Sequence, residues 1–140
     1  MSFANTPFAY TSGFNANGIV VTPNGKYLII AQTNARRLFR VAIATRKVAP
    51  IALGGQRVNG DGLALLGHTL YAVSGDRIAK IRLAADFSRG TVVSRTGDPS
   101  FDTPTTLALA GRRLLVVNSQ FARRGKKSRL PFTVSSIPTP

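Results

Sequence analysis

The sequence predicts an all-β chain: about three repeats of one four-stranded antiparallel sheet. Three observations carry this. Short runs rich in Val, Ile, Leu, Tyr and Phe are punctuated by Gly, Asn and Asp. The pattern returns every 44 residues, opening at Asn17, Asp61 and Thr105. Few segments reach about 11 residues without Gly or Pro, which argues against amphipathic helices.

In the first repeat, Asn17-Gly18-Ile19-Val20-Val21 forms an opening strand. A turn at Gly25 leads to Tyr27-Leu28-Ile29-Ile30-Ala31. The polar break from Gln32 to Arg37 precedes a third strand, Leu38 to Ile43, and Lys47 to Leu53 supplies a fourth. The second repeat follows the same order. Asp61 to Leu65 is followed by a turn at Gly67, then Thr69 to Val73, a break from Ser74 to Arg77, Ile78 to Leu83, and Thr91 to Thr96. In the third, Thr105 to Leu109 turns at Gly111 into Arg113 to Val117, and a longer basic loop leads to Phe132 to Ile137. This repeat has no outer strand of its own before Pro140. The segment Phe3 to Tyr10 is therefore read either as the strand that completes it or as the outer strand of a preceding unit.

Four strands in about 40–45 residues is the arithmetic of a β-propeller blade. The whole of 1–140 is read as one partial propeller, with blades at about 15–58, 59–102 and 103–138. A blade has two apolar faces and buries them only against neighbours. A closed ring needs about four to eight blades, so three leave two end faces open. Further blades in a longer protein, or a second copy completing a six-bladed ring, would cover both; a poorly stable remnant would leave them open. A β-sandwich-like packing of the same strands is the structural alternative.

Composition narrows the chemistry. The chain has no Cys and a single His, which excludes disulfides, thiolate nucleophiles, a Ser-His-Asp site built on a second His, and the usual redox metal centres. Nineteen Lys and Arg stand against five acids, all Asp, for a net charge of +14. Weak, nonspecific and salt-sensitive polyanion binding is expected from that field. The charges are dispersed except at Arg123, Arg124, Lys126, Lys127 and Arg129, read as an exposed loop beside Gly125. No apolar run approaches the roughly 18 residues of a membrane span, so no membrane partner is expected. Met1 to Gly13 has neither a basic start nor an apolar stretch, so no signal peptide is read and a cytoplasmic chain is the default.

The segments "NGIVVTPNGKYLIIAQT", "NGDGLALLGHTLYAVS" and "FDTPTTLALAGRRLLVVNSQF", with the ending "PFTVSSIPTP", resemble the C-terminal half of the gluconolactonase/regucalcin (senescence-marker-protein) family of six-bladed propellers. The resemblance implies a divalent cation, calcium or zinc, at the top of the central channel, with Asn17 and Asp61 as ligands. It implies Asp61 as general base in hydrolysis of a sugar-type lactone. By their places at a blade opening and a strand end, Thr105 and Asn118 are read as rim or substrate contacts. The family's Glu ligand has no counterpart, since the chain contains no Glu. Thr105, opening the third blade, is a neutral oxygen in place of a carboxylate. The non-catalytic alternatives are a propeller-type binding scaffold and a self-associating remnant.

Asp61 in Asn59-Gly60-Asp61-Gly62 and Asn17-Gly18 read equally well as turn formers. Asp76 reads as a hairpin turn, His68 as a turn residue, and Ser119 as a strand end. The connector Asp98 to Pro104 is rigid and turn-rich.

Overall fold

A computed structural model describes residues 3–140. Met1 and Ser2, which the 1–140 domain and the leader reading include, lie outside the described residues. The strands form three sheets. The first holds β1 (Ala16–Val21), β2 (Tyr27–Gln32), β3 (Arg37–Ala42) and β4 (Val48–Pro50). The second holds β5 (Leu63–Leu66), β6 (Thr69–Ser74), β7 (Arg77–Leu83) and β8 (Gly90–Thr96). The third holds β9 (Pro104–Ala110), β10 (Arg113–Asn118) and β11 (Val134–Pro138). Each sheet is an antiparallel meander in which sequence neighbours are spatial neighbours.

Turn chemistry sets the registers. Leu66 pairs with Thr69 around Gly67-His68, Ser74 with Arg77 around Gly75-Asp76, and Ala110 with Arg113 around Gly111-Arg112. In each two-residue loop the leading Gly has positive φ, the geometry that matches the twist of the flanking strands. The longer β1–β2 turn is closed by Asn24, whose Oδ1 accepts from the Thr22 hydroxyl at 2.7 Å and the Lys26 amide at 3.0 Å.

Side chains alternate across each sheet and sort the core into layers. Ile29, Ala31 and Leu38 of the first sheet meet Leu63, Leu70, Ala72, Ile81 and Leu83 of the second, with Phe87 at the outer end. The opposite face of the second sheet, with Tyr71, Val73 and Ile78, packs on Leu107, Leu114, Val116 and Ile137 of the third. The layers are therefore consecutive blades stacked face to face. At their outer rims the first two blades are tied by a parallel bridge, Ala52 to Arg89, and by Arg40, which pairs with Asp86 across the junction.

The third sheet has three strands among the described residues, as expected of a repeat without its own outer strand, but two expectations change. Its last strand starts at Val134, two residues later than expected, because Leu130, Pro131 and Phe132 belong to the loop. Phe3 to Tyr10 is not a strand. The Thr6 amide and hydroxyl both donate to the Phe3 carbonyl, at 3.2 and 2.7 Å, and curl the segment. An extended strand would send residues 3 and 8 to opposite faces. The curl instead stacks Phe3 on Phe8 at 4.4 Å, and Phe8 lies against Phe39 at 5.0 Å. The segment thus caps the outward face of the first blade over Ile30, Phe39, Val41 and Val48.

Candidate functional site

The blade openings converge as the repeat requires. Asn17 sits on β1, and Asp61 lies just before β5. The Asn17 amide donates to Asp61 Oδ1 at 2.6 Å, joining residues one repeat apart. Backbone contacts hold them there. The Gly18 amide donates to the Gly60 carbonyl at 3.3 Å, and the Asp61 amide to the Val73 carbonyl at 2.9 Å. Glycine is needed at both openings. A Cβ at Gly18 would stand 2.8 Å from the Gly60 and Asp61 carbonyl oxygens, and one at Gly62 would stand 2.5 Å from the Thr106 Cα. Each opening is pressed against the backbone of the next blade, which only glycine permits.

Asp61 and Thr105, both half-buried, line one cleft of about 390 Å³, together with Thr33, Asn59, Asp76 and Phe121. Its walls come from the blade openings and from the connections that follow β2, β6 and β10. In a meander those connections return to the end where the first strand starts, so topology gathers them at one mouth. Sequence reasoning missed Asp76 and Phe121. Asp76 was read only as a hairpin turn and does occupy one, but the turn lies at the mouth. Its carboxylate also approaches Arg77 at 3.8 Å, with both side chains well exposed.

Asn118, expected at the rim or against substrate, is buried and fully engaged. The two hydrogens of its amide nitrogen are shared among Ser100 O, Thr133 Oγ1 and Ser135 Oγ, at 3.1, 3.0 and 2.9 Å, and its oxygen accepts from the Asp102 amide at 3.0 Å. It fastens the Asp98 to Pro104 connector to β11. His68 stacks on Phe87 at 4.7 Å beside its turn, at the other end of β6 from the mouth.

The acids outside the mouth serve turns. Hydrogen bonds from the Ser100 hydroxyl and amide hold the Asp98 carboxyl below the ordinary aspartate range. Asp86 is held down by the Ser88 hydroxyl and amide and then by Arg40. Asp102 pairs with Arg123 at 3.2 Å.

The donor set does not fit a divalent cation within this chain. Calcium takes about six to eight oxygens, most from carboxylates and carbonyls. Among the described residues no group of three or more His, Cys, Asp or Glu gathers anywhere. Asn17 turns its amide nitrogen, not its oxygen, toward Asp61, so one carboxylate oxygen is already occupied by a donor.

These features define an all-β, propeller-type stack of three blades with a polar cleft at one mouth. No family model matches the chain. Over 82 residues it is 35% identical to the large ribosomal subunit protein uL10 of Methylorubrum extorquens (strain PA1) and 37% identical to that of Methylobacterium radiotolerans. Each match covers 54% of this chain and 48% of the relative, so the chain spans about half the length of the curated relatives it matches. Among solved structures it is similar to Kuenenia stuttgartiensis hydrazine synthase, with a TM-score of 0.52 and 19% identity over 99% of this chain and 40% of that one. It is also similar to the Cps50 (Swd1) β-propeller domain of Myceliophteria thermophila, with a TM-score of 0.47 and 15% identity over 89% of this chain and 43% of that one. At 19% identity the likeness to hydrazine synthase concerns the fold alone. No helix of the described residues is long and apolar enough to cross a membrane.

Proposed function

We propose that the chain is a non-catalytic propeller-type binding scaffold whose mouth cleft takes a small polyhydroxy compound of the sugar or sugar-lactone class. One observation carries this reading. In a chain with a net charge of +14 and five acids, two of the five, Asp61 and Asp76, line a single cleft with Thr33, Thr105 and the face of Phe121. Carboxylates and hydroxyls accept hydrogen bonds from a polyol, and an aromatic ring covers its C–H face. Asn17 fixes the orientation of Asp61.

Metal-dependent lactone hydrolysis, with Asp61 as base, is the second reading; it rests on the resemblance of the blade openings and requires cation ligands from outside this chain, since Asn17 offers Asp61 a donor and not an oxygen. A second copy that completes the ring would enlarge the mouth under either reading. The test is two-dimensional NMR with a sugar lactone and its open-chain acid, with and without calcium or zinc. The scaffold reading expects shifts at Asp61, Asp76 and Thr105 that vanish in Asp61→Ala, with no turnover. Absence of any shift at the mouth sinks it. Cation-dependent turnover lost in Asp61→Ala replaces it with the hydrolase.

A further inference from the structure

We infer that the loop from Ser119 to Phe132 is a binding surface for single-stranded nucleic acid, which borders the mouth cleft and shares Phe121 with it. The argument begins at the loop's neck. Gln120 is buried, and its side chain clamps the far end of the loop. Its Nε2 donates to the Arg129 carbonyl at 2.7 Å, and its Oε1 accepts from the Arg129 amide at 2.8 Å. Behind the neck, the Ser119 and Gln120 amides donate to the Thr103 and Asp102 carbonyls, each at 3.0 Å. The 3₁₀ turn Phe121–Arg123 and the bonds from Arg124 to Phe121 and from Lys126 to Arg123, at 3.0 and 2.7 Å, shape the first half. A buried amide at the neck and a bonded turn make a preformed surface, which lowers the ordering cost of binding.

That surface combines charge with exposed aromatic rings. Phe121 is 63% exposed, Phe132 58% and Leu130 78%. Phe121 and Phe132 line one pocket of about 260 Å³ together with Arg123, Arg124 and Lys126. Arg124 lies 5.9 Å from the centre of the Phe121 ring. Arg123 pairs with Asp102, but no ion pair among the described residues involves Arg124, Lys126, Lys127 or Arg129. Four cations without a carboxylate partner are free to neutralise phosphates and release counterions.

Charge alone would accept any polyanion. The two rings are what select. Exposed aromatics are a standing cost for a soluble surface and become favourable when a planar base stacks on them. The pocket is smaller than the roughly 300–1,000 Å³ of sites for larger metabolites and is open to solvent, which suits one base of a continuing strand. Duplex keeps its bases stacked inside and offers the rings nothing.

The experiment is fluorescence anisotropy with a labelled oligothymidylate of about ten nucleotides, set against duplex of equal charge, heparin, and vesicles of phosphatidylserine and phosphatidylcholine. Phe132→Ala and Phe121→Ala each weaken oligothymidylate binding by about fivefold or more with the salt slope unchanged. Lys126→Gln and Lys127→Gln each reduce the salt slope by about 0.7. Asp61→Ala leaves the binding unchanged, which separates this site from the mouth cleft. Heparin bound as tightly as oligothymidylate, with both Phe variants silent, reduces the loop to charge and overturns the proposal. Capture by the vesicles without capture by oligothymidylate overturns it in favour of an anionic membrane.

Discussion

The two end faces of the blade stack are built from the same repeat and meet solvent differently. On the first blade, Phe3 and Phe8 fold back over Ile30, Phe39, Val41 and Val48, and Phe8 is fully buried. On the third, the residues pointing away from the second blade include Ala108, Leu115, Val117 and Val134, and none has a cover among the described residues. Leu115 and Val117 are 37% and 38% exposed, and Val134 58%. Alternation makes both faces of any blade apolar, so the pattern alone cannot tell a covered face from a bare one. Cover comes from chain outside the repeat, and among the described residues one end has it and the other does not.

The largest effect should come from stripping that cover. Phe8→Ala removes the ring that bridges Phe3, Tyr10 and Phe39. The expected loss is about 3–5 kcal/mol in urea unfolding, the range for a buried Phe cut to Ala. Val117→Ala, on the bare face, should stay within about 0.5 kcal/mol. Equal losses from the two would mean that the faces do not differ in the way described.

A smaller effect distinguishes the inner blade junctions from the bare end. The second position of each opening is Gly18, Gly62 and Thr106. The two glycines each have the next blade's backbone against them, whereas Thr106 is exposed with no blade beyond it among the described residues. Gly62→Ala must push the third blade outward and should cost about 1–3 kcal/mol. Thr106→Gly should cost little by comparison. A harmless Gly62→Ala would show that the junction has slack.

Much of this was legible beforehand, and the gaps have physical reasons. Period and turn chemistry located every strand of the first two blades to within a few residues, because Gly at a positive-φ turn position and β-branched runs are local signals. The closeness of Asn17 and Asp61 followed from repeat register, but they were read as two ligands of one cation, and the direct hydrogen bond between them was not foreseen. Asn118 went astray because position at a strand end does not reveal burial. Its partners at Ser100 and Thr133 come from a connector and a loop with no periodic signal, and Ser135 sits at the start of β11 beyond that loop. Asp76 and Phe121 were missed as mouth residues for a different reason. Local turn chemistry fully explains an Asp after Gly75, and only the meander's return to its starting end puts it beside Asp61. The aromatic cap was misread because Phe3 to Tyr10 has strand composition, and the bond from Thr6 to Phe3 that curls it is invisible in a hydrophobicity pattern.

The smallest effect on stability falls at the bare ends, where association rather than folding is at stake. Ring completion by a second copy needs the third blade's outer face to meet the first blade's outer face. The Phe cap leaves part of the latter free, since Ile19 and Val21 of β1 are each 55% exposed. Two copies, each at +14, repel at low salt, and screening relieves this while apolar contact persists. Sedimentation should therefore show mass rising with both concentration and salt. Val117→Lys and Ile19→Lys should each return the chain to a monomer, with the urea midpoint nearly unchanged because both sites are exposed. Dissociation by Val117→Lys alone would mean that two third blades meet each other and no ring forms. Thr106 adds a constraint on geometry. Its side chain occupies the place where Gly18 and Gly62 admit the neighbouring backbone, so a partner blade must sit farther out at the inner strand than blades within one chain do. Thr106→Gly should accordingly strengthen self-association if the ring is the assembly, and leave it unchanged if it is not.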